Sequence, residues 1–172
     1  GTSGMPCGFS YDLASDPTDN SRLFAPATGL GTTSDGIYRS TDTGATWTKV
    51  SNPAMDAFLS NSPNRVEIVV GNAGGGNANV FAAICNGGSL AGLFRSGDAG
   101  QNWASLDLPS TTEQGTSYGI HPGNQCAVHM SLVADPGDPN VVYIGGDRQP
   151  ANNENGSLVS QFPNSIGAST YG

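Results

Sequence analysis

Basic residues are scarce in this chain. Its 172 residues include only 6 Lys+Arg against 14 Asp+Glu, which gives a formal net charge of −8. Proteins that bind nucleic acids cluster Lys and Arg to neutralise phosphates, so this balance excludes a nucleic-acid partner. Long apolar runs are also missing, because none approaches the roughly 18 residues that a membrane-spanning helix needs. The sequence therefore predicts a protein that does not span a membrane.

Cysteine is nearly as scarce. Three cysteines are too few for a disulfide-framework fold, and their spacing fits no zinc pattern. The sequence thus predicts neither a metal site nor a cofactor. Glycine and proline, by contrast, are abundant at 25 and 11 residues, and both disfavour helices. The apolar residues gather in short β-branched and aromatic clusters, so we predict an all-β fold.

Two unrelated motifs repeat along the chain. Residues 38–47 align without a gap with residues 94–103, which follow 56 positions later. The Asp-Pro motif of residues 14–20 returns at residues 133–140, 119 positions later, or about two periods. A repeat of this length is typical of an array of small structural units.

An aromatic residue and a cysteine follow the same spacing. Phe24, Phe81 and Tyr143 lie at equivalent positions, and Cys7 and Cys126 share the offset of 119 residues. In a closed ring, Cys7 and Cys126 would lie too far apart for a disulfide, which needs Cα atoms within about 7 Å. We therefore predict no bond between these two. A bond from Cys126 to Cys85 of the adjacent unit stays open.

Each period is interpreted as four short strands joined by turns. The predicted strands are about 9–14, 66–70 and 128–133 (first), 22–25, 80–84 and 141–144 (second), and 36–40 and 93–96 (third), with the fourth beginning at Trp47 and Trp103. Units of this size and strand number are typical of β-propeller blades, each a four-stranded antiparallel sheet. The predicted boundaries are 1–64, 65–125 and 126–172, about two and a half to three blades.

A fixed pattern, Ser-X-Asp-X-Gly-X-X-Trp, lies between the third and fourth predicted strands. Its two copies consist of Ser40, Asp42, Gly44 and Trp47, and of Ser96, Asp98, Gly100 and Trp103. The pattern resembles the Asp-box, or BNR repeat, of sialidases, sortilin-type receptors, xyloglucan-cleaving endoglucanases and photosystem assembly propellers. The resemblance extends over nearly the whole chain and implies a β-propeller in which these residues are structural.

The residue types of this motif suit a tight turn. An aspartate accepts hydrogen bonds from the amides of its own turn, and glycine adopts the positive φ that the turn needs. The tryptophan is expected to bury its ring between neighbouring blades. Arg39 and Arg95 precede the two motifs at equivalent positions and are interpreted as structural too. The alternative, that the aspartates are catalytic or bind calcium, is disfavoured because they recur once per blade.

The loops at the other ends of the strands differ from one another. They are expected at about 28–35, 51–64, 86–92, 104–125 and 146–172. Variable loops on a rigid scaffold are the usual place for binding and chemistry, so we expect any site on this face, hereafter the variable face.

Few ionisable residues are available for such a site. The candidate catalytic residues are Asp12, Asp35 and Asp147, and the candidate binding residues are Arg65, His129, Asp147 and Arg148. Asp147 and Arg148 follow a Gly-Gly pair and either orient a sugar or a carboxylate, or form a loop salt bridge. His129 and Asp12 either face the central channel or serve as hydrogen-bonded structural groups.

Two functions follow from these observations. The first is a secreted, periplasmic or cell-surface scaffold that binds proteins or glycans, and the lack of a visible catalytic signature favours it. The alternative is the N-terminal part of a glycoside hydrolase of the endoglucanase type, less so of the sialidase type, which needs more arginines on one face. Fewer than four blades cannot close a ring. The expected partners are therefore further blades of the same protein or neighbouring chains.

Overall fold

The structure is a computed structural model that describes residues 3–72, 78–113, 116–121 and 124–146. The named strands pair in antiparallel sheets, and two of these sheets have four strands in sequence order. The predicted all-β fold of four-stranded antiparallel sheets is therefore confirmed.

The first sheet is assembled from short strands closed by side-chain hydrogen bonds. Its strands are β1 (Ala14–Asp16), β2 (Asp19–Ala27), β3 (Gly36–Ser40) and β4 (Thr48–Lys49). The β1–β2 turn forms because the Asp16 carboxylate accepts hydrogen bonds from the amide and hydroxyl of Thr18, at 2.8 and 2.7 Å. Arg22 pairs with the same carboxylate at 2.7 Å. This ion pair neutralises the buried charge of Asp16 at the end of β1.

The second sheet repeats this arrangement with longer strands. It consists of β5 (Arg65–Gly71), β6 (Asn79–Asn86), β7 (Ser89–Ser96) and β8 (Ala104–Ser105). Seven of the eight residues of β6 are buried, because other elements cover both faces of this strand. Gly87 and Gly88 join β6 to β7 with φ of 58° and 87°. Two consecutive positive φ values define the tight hairpin turn that glycine favours.

The remaining elements lie between and after the two sheets. They are α1 (Pro53–Leu59), β9 (Ser110–Glu113), β10 (Thr116–Gly119), α2 (Cys126–His129), β11 (Ser131–Ala134) and β12 (Val142–Gly145). Strands β9 and β10 form one hairpin, and β11 and β12 form another. Helix α1 is capped by Asn52, whose side chain accepts a hydrogen bond from the Met55 amide at 3.0 Å. Pro53 occupies the first helical turn, where a missing amide proton costs nothing.

Apolar packing joins the successive units face to face. One core cluster combines Phe24 and Ile37 of the first sheet with Val66, Ile68, Val80 and Phe94 of the second, and helix α1 adds Met55 and Leu59. Strands β1 and β11, each the first strand of its unit, both contact β5. The first strands of successive units are therefore neighbours, as in a radial array of blades.

A second cluster joins the other face of the second sheet to the third unit. It contains Phe81 and Leu93 of the sheet with Met130 and Leu132 of the third unit. The disulfide between Cys85 and Cys126 lies in the same cluster, and both cysteines are fully buried. The structure thus selects the pairing that the sequence left open and leaves Cys7 free and exposed.

Several local predictions of strand and loop bounds are wrong. The strand predicted at about 128–133 begins only at Ser131, because Cys126 is held by its disulfide and by a bond from its amide to the Gly88 carbonyl, and α2 precedes the strand. The strand predicted at about 9–14 contributes only Ala14 to β1, and Phe9 instead forms an isolated bridge with Thr28. Residues 86–92 are predicted as a long irregular loop, but they contain only a two-residue turn at Gly87 and Gly88 between paired strand residues.

Candidate functional site

The β3–β4 and β7–β8 turns have the same hydrogen-bond arrangement. In the first, the Ser40 hydroxyl donates to Asp42 Oδ1 and accepts from the Gly44 amide, both at 2.8 Å. The amide and hydroxyl of Thr46 donate to the same carboxylate at 2.8 and 2.6 Å. Gly44 has φ of 85°, so the turn passes through a conformation that glycine favours.

The second turn reproduces these contacts 56 residues later. The Ser96 hydroxyl donates to Asp98 Oδ1 at 2.8 Å and accepts from the Gly100 amide at 2.8 Å. The side-chain and backbone nitrogens of Asn102 donate to the carboxylate at 2.6 and 2.8 Å. The Asn102 side-chain amide therefore donates the hydrogen bond that the Thr46 hydroxyl donates in the first turn.

These hydrogen bonds lower the pKa of both aspartates. The Thr46 hydroxyl and amide, followed by Ser40, lower the pKa of Asp42 below its ordinary value. Burial raises the pKa of Asp98, but the hydrogen bonds from Asn102 and Ser96 outweigh it and the net pKa is lowered. Each carboxylate accepts hydrogen bonds from donors of its own turn.

The arginines before the turns reach into the next unit. Arg39 Nη1 donates to the carbonyl of Ala99 in the β7–β8 turn at 2.8 Å. Arg95 Nε donates to the carbonyl of Pro139 in the β11–β12 turn at 3.1 Å. Both side chains therefore link consecutive units.

The two motif tryptophans differ in burial. Trp103 is 9% exposed and belongs to the cluster between the first and second sheets. Trp47 is only half-buried, and its Nε1 donates to the Gly44 carbonyl at 3.0 Å. Trp47 is less buried because it lies on the first sheet, with no preceding sheet among the described residues to cover it. Its described neighbour is the segment at Ser3, whose carbonyl accepts a hydrogen bond from the Trp47 amide.

On the variable face, loop 28–35 and helix α1 enclose a cleft of about 500 Å³. It is lined by Gly31, Thr32, Thr33, Asp35, Pro53, Asp56, Ala57 and Ser60. The Asp35 carboxylate, 1% exposed, accepts hydrogen bonds from the Leu30 and Thr32 amides at 3.0 and 3.2 Å. Asp35 therefore shapes the loop that forms one wall of the cleft.

The opposite wall carries a second carboxylate. Asp56 of α1 accepts the Ser51 hydroxyl at 2.6 Å and pairs with Lys49 Nζ at 2.8 Å. Lys49 Nζ also donates to the Thr33 carbonyl at 2.8 Å, which ties the two walls together. Burial raises the pKa of Tyr38, and the negative charges of Asp56 and Asp35 raise it further. The residues that line the cleft include two aspartates and no Lys or Arg, and one of the two carboxylates, that of Asp56, is paired with Lys49.

Sequence reasoning did not select Asp56 as a site residue or predict α1. The signal for α1 was present in Asn52-Pro53, a capping residue followed by proline at the first helical position. Residues 51–64, predicted as an irregular loop, therefore contain a helix.

The other described sequence candidates are not among the residues that line this cleft. Asp12 Oδ2 accepts the Ile68 amide of β5 at 2.7 Å and so links the first unit to the second. Arg65 pairs with Glu67 at 2.9 Å and donates to the Ala127 carbonyl at 3.3 Å. His129 lies in α2 rather than on a strand, and its Nδ1 is buried without a hydrogen-bond partner among the described residues.

Asp147 and Arg148 lie outside the described residues. Among the residues that the structure does describe, no group of three or more His, Cys, Asp or Glu side chains is arranged to hold a metal ion. No helix in the described part of the chain is long and apolar enough to cross a membrane.

The repeated four-stranded sheets, their linking arginines and the cleft between loop 28–35 and α1 define an all-β blade protein. The sequence is similar to a xyloglucanase from Hypocrea jecorina (strain QM6a), with 33% identity over 99 residues. This match covers 58% of the present chain but 10% of the relative, so the chain spans about a tenth of that protein's length. No family model matches the sequence.

Proposed function

We propose that this chain supplies consecutive blades of an exported Asp-box β-propeller whose variable face binds a neutral β-glucan of the xyloglucan class. The similarity to a xyloglucanase carries this proposal. The lining of the cleft supports it, because it contains two aspartates and no Lys or Arg that could pair with the carboxylate of an acidic sugar. A sialic-acid ligand, which carries a carboxylate, is therefore less favoured than xyloglucan.

The burial of one repeated aromatic position supports stacking with further blades. Phe24 is fully buried against the second sheet, and Phe81 is 1% exposed against the third unit. Tyr143, the third in the series, is 57% exposed. We attribute this exposure to a surface on which a following blade would pack. That blade would cover Tyr143 as the second sheet covers Phe24.

The buried Cys85–Cys126 disulfide supports export. Structural disulfides persist in oxidising compartments and are rare in the cytosol. Because this bond joins the second blade to the third unit, it would stabilise the stack after secretion.

We assign binding rather than cleavage to the described carboxylates of the cleft. Glycoside hydrolysis needs two carboxyl groups flanking the scissile bond, one of them able to act as an acid. Asp35 is occupied by two backbone amides and Asp56 by Lys49 and Ser51. Both are therefore engaged in shaping the cleft walls.

The test combines binding with product analysis. Wild-type protein is titrated with a xyloglucan oligosaccharide by calorimetry, and polymeric xyloglucan is assayed for new reducing ends. Binding without release of reducing ends is the expected result. Release that is abolished by Asp147→Ala or Asp35→Ala, with binding retained, would establish the hydrolase instead.

A further inference from the structure

We propose that Phe9 and Tyr11 form a stacking platform for the pyranose rings of the bound glucan. This inference rests on the proposed function and deepens it by naming a sugar-binding surface. The two rings lie 6.5 Å apart between centroids, with 30° between their planes, and are 65% and 42% exposed. The two neighbouring rings form one contiguous apolar patch, and exposed patches of this kind mark sites of interaction.

The first ring is held in place by its own backbone and by a glycine. The Phe9 amide donates to the Thr28 carbonyl at 2.8 Å, and the Thr28 amide donates back at 3.0 Å. The ring lies on Gly29, where a Cβ atom would overlap it. Gly29 also has φ of 81°, so both its conformation and its lack of a side chain position the ring.

The second ring is anchored through its hydroxyl. Tyr11 donates to the Pro63 carbonyl at 3.0 Å, at the far end of the segment that contains α1. The ring is therefore fixed without its face being buried, and little side-chain entropy is left to lose when a ligand binds.

The platform lies beside the segments that form the cleft. Phe9 pairs with Thr28, three residues before the lining residue Gly31, and Tyr11 bonds to Pro63, three residues after the lining residue Ser60. We therefore place the two rings within reach of a chain-like ligand that extends out of the cleft. The C–H face of a pyranose is slightly positive and apolar, and it complements the negative face of an aromatic ring.

Leu13 provides a matched control. Leu13 follows Tyr11 by two residues, as Tyr11 follows Phe9, and it is 63% exposed but carries no aromatic ring. Binding of a xyloglucan heptasaccharide is measured by calorimetry for the wild type, Phe9→Ala, Tyr11→Ala and Leu13→Ala, after thermal melting has shown that each variant is folded. Phe9→Leu is included because it keeps apolar surface without a π face.

We expect Phe9→Ala and Tyr11→Ala each to weaken binding about tenfold. Phe9→Leu should behave like Phe9→Ala, while Leu13→Ala should bind like the wild type. Wild-type binding that none of the substitutions weakens would overturn the platform and leave the proposed function standing. Failure of the wild type itself to bind xyloglucan would overturn the proposed function and the platform with it.

Discussion

The disulfide between Cys85 and Cys126 should contribute a large part of the stability of this chain. It joins positions 41 residues apart and ties α2 to the β6–β7 hairpin. Closing a loop of that length restricts the unfolded chain, and the loop-entropy relation gives about 4 kcal/mol. A natural domain is stabilised by about 5–15 kcal/mol in total, so losing the bond would remove a substantial share.

The perturbation is the double variant Cys85→Ala, Cys126→Ala, which avoids a leftover buried thiol. Its melting temperature, followed by circular dichroism, should fall by about 10 °C. Cys7→Ala is the matched control, because Cys7 is free and exposed and its loss should leave the melting temperature unchanged. Reductant should lower the melting temperature of the control and leave that of the double variant unaffected.

A double variant that melts at the same temperature as the Cys7→Ala control would refute this reasoning. So would peptide mapping under non-reducing conditions that finds Cys85 and Cys126 as free thiols, or finds Cys126 joined to Cys7.

Three further predictions concern packing and the turns. Phe24→Ala should lower the free energy of unfolding by about 3–5 kcal/mol in urea denaturation, because this ring is fully buried between two sheets, whereas Leu108→Ala at an exposed site should change it little. Asp98→Ala should lower the urea midpoint more than Asp42→Ala, because the β7–β8 turn packs against the first sheet; equal effects would contradict this packing. Folding lowers the pKa of both aspartates below 3.8, so the stability that they contribute is present above pH about 4 and is lost as the pH falls through the pKa values of the folded state. We therefore expect a lower urea midpoint at pH 3 than at pH 7. Equal midpoints at the two pH values would contradict this prediction.

Local chemistry explains what the sequence predicted well. The Ser-X-Asp-X-Gly turns were predictable because each carboxylate is satisfied within four residues of its own position. Strand β3 was predicted at its observed bounds, since the motif that follows it marks its end. The β6 strand was longer than predicted because Asn79 and Asn86 pair in the ladder although their residue type disfavours strands.

Non-local contacts explain the failures. Helix α2 depends on a disulfide that spans 41 residues, and no local pattern in residues 126–129 reports it. The cleft depends on Lys49 reaching both Thr33 and Asp56 from different segments. Phe9 was interpreted as a strand residue, because alternation of apolar residues does not distinguish a paired strand from an extended segment with exposed rings.

The central claim is that the variable face binds a neutral β-glucan. The most direct measurement is a calorimetric titration of the wild-type protein with a xyloglucan heptasaccharide, repeated with a sialylated oligosaccharide of similar size. The account predicts saturable binding of the xyloglucan oligosaccharide and none of the sialylated one. No heat of binding with xyloglucan, or stronger binding of the sialylated sugar, would contradict it.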